Sequence, residues 1–180
     1  MSTQQLNNMS TQQLNNMSTQ QHMKEKIWNI LEEVKDPEVP VLSVVDLGVV
    51  REVKVENEQV EVVITPTYTG CPAMNVIEMD IKATLASKGY KNPKVTTVLS
   101  PPWTTDWLSE AGKKKLKAYG IAPPVGSVDK AELIGEERNI ECPQCNSTNT
   151  QMISQFGSTA CKALHKCNDC LEPFDYFKCH

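Results

Sequence analysis

The sequence predicts an α+β protein: a small α/β domain, with helices packed on a short mixed sheet, carrying a C-terminal zinc-ribbon module. Three observations predict it. Helix-period and strand-period apolar patterns alternate between residues 24 and 120. Two Cys-x-x-Cys pairs, Cys142-Pro143-Gln144-Cys145 and Cys167-Asn168-Asp169-Cys170, stand 21 residues apart near the C-terminus. Such pairs turn two thiolates each onto one ion, and together they complete the four sulfur ligands of a tetrahedral structural zinc site. Pro- and Gly-rich segments punctuate the chain between these patterns.

The elements follow in order. Met1 to Asn8 repeats as Met9 to Asn16, and Met17 begins a third copy. A polar Gln/Asn/Ser/Thr repeat buries too little apolar surface to offset ordering, so residues 1–23 are expected to be a flexible tail. Ile27, Ile30, Leu31 and Val34 recur at helical spacing, and Pro37 should end that helix. Asp36-Pro37-Glu38-Val39-Pro40 is then a rigid turn. Val49 to Glu56 and Gln59 to Thr65 read as a hairpin turning at Asn57-Glu58. Pro72 to Lys88 reads as a helix with Val76, Ile77, Ile81 and Leu85 on one stripe and Gly89 as its stop. Val95 to Leu99 is a third strand, and Asp106 to Tyr119 a helix closed by Gly120. The expected divisions are an α/β domain over 24–120, a linker over 121–140 and the Cys-rich ribbon over 141–180.

Composition excludes several classes. The chain has 180 residues, 39% hydrophobic, with seven cysteines and a net charge of −4. No run approaches the roughly 18 apolar residues of a membrane span, and the N-terminus lacks a signal-peptide pattern. A cytoplasmic setting is expected, where cysteines serve metals or thiol chemistry rather than disulfides. From Arg138 to His180, four Lys or Arg balance four Asp or Glu, so the ribbon offers no basic stripe for nucleic acid. No Glu-x-x-His pair of the di-iron type and no Gly-x-Gly-x-x-Gly phosphate loop is present.

Two positions in the first domain stand out. Cys71 follows the loop Pro66-Thr67-Tyr68-Thr69-Gly70 and precedes Pro72, which places it at or near a helix N-cap. A thiol there can attack an electrophile, bind a soft metal or receive iron and sulfide, or else simply pack under the loop. Asp46, in Val44-Val45-Asp46-Leu47-Gly48, is a carboxylate among apolar neighbours that must be capped, paired or functional. Capping of its own turn is the plainer reading. In the ribbon, Cys161, Cys179 and His180 are candidates for extra or alternative ligands or else stay unligated, and Cys161 beside Lys162 is also a candidate reactive thiol. His165 is expected to be unligated.

Asp36-Pro37-Glu38-Val39-Pro40, Asp46-Leu47-Gly48-Val49-Val50, Thr65-Pro66-Thr67 and Gly70-Cys71-Pro72 resemble the SufT-type family of iron–sulfur cluster maturation factors, over about residues 24–105. Pro101-Pro102-Trp103-Thr104-Thr105-Asp106-Trp107, Tyr119 to Pro124, Phe156 to Lys162 and Glu172 to Lys178 resemble the D-protein family of bacterial phenylacetyl-CoA epoxidase systems. This resemblance implies an accessory role in aerobic phenylacetate breakdown, within a multicomponent monooxygenase but without intrinsic catalysis. It implies assistance to iron or iron–sulfur assembly in the epoxidase subunits and their flavin and iron–sulfur reductase. Cys71, supported by Asp46, Thr67 and Thr69, would then contact iron or a cluster transiently. Cys142, Cys145, Cys167 and Cys170 would hold zinc or, on spacing alone, an iron–sulfur cluster.

Other classes compete. A non-catalytic structural component of the epoxidase could dock through Trp103 and Trp107, unless both are buried. A ribbon-type nucleic-acid binder lacks the charge, and a Cys71-dependent thioesterase lacks a histidine in its own domain. Homo-oligomerisation is compatible with the sequence.

Overall fold

The computed structural model describes residues 19–56, 59–125 and 140–178. The polar repeat of residues 1–18, the Asn57-Glu58 turn, most of the 121–140 segment, Cys179 and His180 lie outside them.

Helix α1 occupies residues 19–31 of the described chain, so the last residues of the expected tail are helical. It ends well before Pro37. Hydrogen bonds from Glu33 N to Ile30 O and from Val34 N to Leu31 O tighten its last turn, and a Lys35–Ser43 bridge then draws the chain aside. Tertiary pairing therefore stops this helix before proline can. Ile27, Leu31 and Val34 are buried as their spacing requires, and Trp28 packs against the same cluster. In the following turn one Asp36 carboxylate oxygen accepts from the backbone N–H of Glu38 at 2.9 Å and Val39 at 2.7 Å.

Strands β1 (Val50–Glu56) and β2 (Gln59–Ile64) form the expected antiparallel hairpin, with a register shift between Val50 and Glu52. Helix α2 (Ala73–Ser87) crosses over to β3 (Lys94–Thr97), which pairs parallel to β2. The sheet order is β1-β2-β3. Ala73, Ile77, Ile81 and Leu85 face the sheet at intervals of four. Val76 does not join them and is 43% exposed, because the residue before Ile77 is rotated about 100° around the helix. Fully burying each Ile, Leu or Val of this core contributes about 1.5–3 kcal/mol.

The expected helix from Asp106 is shorter than its pattern. A 3-10 turn, Thr105–Trp107, comes first, and α3 (Glu110–Tyr119) starts only after Ser109, whose hydroxyl accepts from Gly112 N at 2.8 Å. Gly120 closes α3 at φ 91°. Glycine is required at Gly48 too: φ is 70° and a Cβ would collide with the Trp107 carbonyl.

Residues 121 and 122 are not linker. As β4 (Ile121–Ala122) they pair parallel to β7 (Pro173–Phe177), in a sheet completed by β5 (Thr150–Ser154) and β6 (Lys162–Cys167) in the order β4-β7-β6-β5. Phe177 and Cys161 of this ribbon lie in the main core, beside residues of α1, β1 and α2. Trp103 is buried at the same junction; its indole N–H donates to Leu47 O at 2.9 Å. A second cluster, including Ile140, Ala163, Phe174 and Tyr176, fills the ribbon itself.

Candidate metal centre and thiol site

Each cysteine pair sits on a tight knuckle. Asn146 N donates to Cys142 O at 2.9 Å, and Cys167 N donates to Glu172 O at 3.0 Å. The residue after each pair, Asn146 or Leu171, takes a left-handed conformation at φ 61° and 67°. That reversal turns the chain away after the second cysteine and closes each knuckle. Asp169 ties one knuckle to the other by accepting from the Ser147 hydroxyl and from Asn149 Nδ2. These two bonds hold its carboxyl below the usual range.

The four sulfurs of Cys142, Cys145, Cys167 and Cys170 all lie within 4.8 Å of one another. Cys142–Cys170 are 3.7 Å apart and Cys145–Cys167 3.5 Å, far beyond the roughly 2.05 Å of a disulfide. A tetrahedron of sulfurs each about 2.3 Å from one ion has edges of about 3.8 Å. The described cluster has that size, and metal binding is its evident chemistry. The Cys170 backbone N–H leads the effects that lower the Cys167 thiol to about 7. The Glu172 N–H favours the Cys170 thiolate, yet desolvation and the neighbouring sulfurs push that thiol up to about 12. Crowded thiolates repel one another, and a bound cation removes the conflict.

Cys161 is not part of this cluster. Its thiol points back into the α/β domain, 3.4 Å from Glu38 Oε2 and 3.1 Å from Thr159 Oγ1. Burial, together with the Glu38 and Asp36 carboxylates, pushes it up to about 12. That setting does not suit a reactive thiolate beside Lys162, whose ammonium instead approaches Asp175 at 3.7 Å. His165 stacks on Phe174 and meets Tyr176 edge-on, and burial lowers its pKa. It packs among the ribbon's aromatic rings, outside the four-sulfur cluster.

Cys71 lies one residue before the N-cap of α2, which is Pro72. It is half-buried on the β2–α2 loop; its N–H donates to Tyr68 O at 3.2 Å and its C=O accepts from Met74 N at 3.3 Å. Desolvation, then Cys71, Glu38 and Cys161, push the Tyr68 hydroxyl up to about 12. Thr67 is half-buried and Thr69 exposed on this loop.

Asp46 serves a different part of the fold from the Cys71 loop. It is 2% exposed and accepts from Ser43 N at 3.1 Å, from the Ser109 hydroxyl at 3.0 Å and from the Lys115 ammonium. Burial alone would raise its pKa; the Lys115 ammonium and the Ser43 and Ser109 donors outweigh that and hold it low. Asp46 therefore anchors α3 to its own turn.

Among the described residues, no helix is long and apolar enough to cross a membrane. Trp107, below the Arg51 guanidinium at 3.3 Å, and buried Trp103 are both engaged within the chain.

A family described as iron–sulfur cluster assembly protein matches residues 24–99, and one described as PaaD zinc beta ribbon domain matches residues 126–178. A protein of Escherichia coli (strain K12), named as a component of 1,2-phenylacetyl-CoA epoxidase, is 46% identical over 154 residues, 86% of this chain and 92% of its own length. The Fe-S protein maturation auxiliary factor YitW of Bacillus subtilis (strain 168) is 37% identical over 51% of this chain and 90% of its own. A crystal structure of a DUF59 domain from Bacillus anthracis superposes with a TM-score of 0.53 at 30% identity, covering 56% of this chain and 96% of that one.

Proposed function

The chain belongs to the D-protein family of phenylacetyl-CoA epoxidase systems, and from that premise we propose that it is an accessory maturation factor of such an epoxidase. In this reading it helps iron or an iron–sulfur cluster reach the epoxidase or its reductase. The observation that carries it is the Cys71 thiol. It is half-buried rather than sealed, its backbone N–H is fixed on the Tyr68 carbonyl, and it lies within the stretch similar to iron–sulfur assembly proteins.

Iron or a cluster is cargo at this loop rather than a resident group. An incoming iron replaces the thiol proton, and the resulting thiolate is a soft ligand suited to it. Unlike a closed set of four thiolates, a site with few protein sulfurs leaves coordination positions open to sulfide and to a client's ligands. The ribbon, by contrast, is proposed to hold zinc for structure: its four sulfurs close around one ion and leave no position for exchange.

The test is Cys71→Ala as the sole copy in cells that need the epoxidase. The epoxidase and reductase isolated from them should be depleted of iron and activity. Full metal content would remove this role for the thiol. The name of the Escherichia coli relative favours a second reading, a stable non-catalytic component of the complex. A stoichiometric complex with the epoxidase, whose metal content is normal in cells lacking this chain, would support it instead.

A further inference from the structure

The three-stranded sheet uses its two faces differently. Val53, Val55, Val60 and Val62 are buried in the main core, and the alternate residues Lys54, Glu61 and Val63 line an open cleft of about 420 Å³ on the other side. That volume lies within the roughly 300–1,000 Å³ of small-molecule sites. Arg51 is the extra residue where β1 shifts register between Val50 and Glu52, and such a bulge re-aims a side chain. Its guanidinium lines the cleft and lies over the Trp107 ring at 3.3 Å. The carboxylates of the cleft are already matched, Glu52 by Lys54 at 3.6 Å and Glu61 by Lys94 at 3.0 Å. Arg51 makes no ion pair among the described residues, so its charge is left uncompensated. Thr65 lines the same cleft, is 1% exposed, and has a hydroxyl with no hydrogen-bond partner among the described residues. A buried hydroxyl in that state marks a partner the fold itself does not supply.

We propose that this cleft binds a small organic acid, whose carboxylate pairs with Arg51 and whose apolar body lies against Val63, Val98 and Pro101. Stacking on Trp107 fixes the plane of the guanidinium and leaves its N–H edge for a carboxylate, which that edge matches with two parallel hydrogen bonds. The three apolar side chains line the same cleft and favour a ligand with a hydrocarbon part over a bare inorganic anion. Glu52 and Glu61 beside it weigh further against a doubly charged phosphate. The inference goes beyond the maturation reading: the site shares no residue with the four-sulfur cluster or the Cys71 loop, and its ligand is organic.

The test titrates the full, metal-loaded chain with sodium benzoate, and separately with acetate and inorganic phosphate, following backbone amides by NMR. Benzoate should shift the amides of residues 51–54, 61–65 and 96–100 together and saturably, and acetate and phosphate should bind more weakly. Arg51→Ala should weaken benzoate on the order of 10- to 100-fold, the loss expected when a charged hydrogen-bonding partner is removed. Arg51→Lys keeps the charge without the fork and should fall between the two. Val98→Asp sets a like charge against the ligand and should also weaken benzoate, which keeps the test decisive if Arg51→Ala does not fold. No saturable shift in wild type, affinity unchanged by Arg51→Ala or by Val98→Asp, or tighter binding of phosphate than of benzoate would each overturn the site. None of these outcomes bears on the iron content of clients in Cys71→Ala cells, so the two readings fail separately.

Discussion

Trp103 and Phe177 meet edge to face, their ring centroids 6.3 Å apart and their planes at 79°. One ring follows the three-stranded sheet and the other ends the ribbon's β7, so this aromatic contact spans the seam between modules. Aromatic pairs in this geometry contribute about 0.5–1.5 kcal/mol beyond the area they bury.

This seam should make unfolding cooperative across both modules. Phe177→Ala is expected to cost about 3–5 kcal/mol and to split one calorimetric transition of the metal-loaded chain into two. A single transition with an unchanged midpoint would show that the modules do not depend on the contact.

Metal removal should unfold the ribbon before the α/β domain. Structural zinc sites in small modules contribute folding free energy outright, of order 10 kcal/mol. After chelation, amide exchange should accelerate in β5, β6 and β7 while β2 stays protected. Cys145→Ser should reproduce that pattern without chelator, since its sulfur is one of the four gathered by the knuckles.

Asp46 should set an acid limit on stability. Its folded pKa is lowered, so its contribution is fully present above the unfolded value of about 3.9 and is lost as pH falls from there through the folded value. Asp46→Asn should cost roughly 1–3 kcal/mol near neutral pH, discounted because Lys115 is 40% exposed. Urea titrations should show that difference constant down to about pH 4 and shrinking below it. A difference that grows in acid would contradict the assignment.

Leu171 is a non-glycine residue at φ 67° with a 65% exposed side chain. It holds a strained conformation with little packing in return. Leu171→Gly should therefore stabilise the metal-loaded ribbon by roughly 0.5–1 kcal/mol, seen as a higher melting temperature with unchanged metal content.

Much of this was legible locally. The stripe Ile77, Ile81 and Leu85, the Val-rich hairpin and the two cysteine knuckles each carry their own period or spacing, and each forms where expected. Boundaries set by contacts between elements were not legible. The early end of α1 depends on the Lys35–Ser43 bridge, and the late start of α3 depends on the Ser109 cap. Val76 departs from its expected stripe because valine at a helix edge resembles valine on the buried face.

By itself the sequence determined the two modules and the four-sulfur centre. Periodicity and Cys-x-x-Cys spacing are short-range properties, satisfied within a turn or a strand. The tertiary structure alone decided the roles of residues whose partners are remote in the chain. Asp46 proved to pair with Lys115 on α3, and Cys161, 123 residues from Glu38, left the ribbon's sulfurs for that carboxylate. A side chain's chemistry is set by its neighbours in space, and chain spacing predicts those neighbours only within an element.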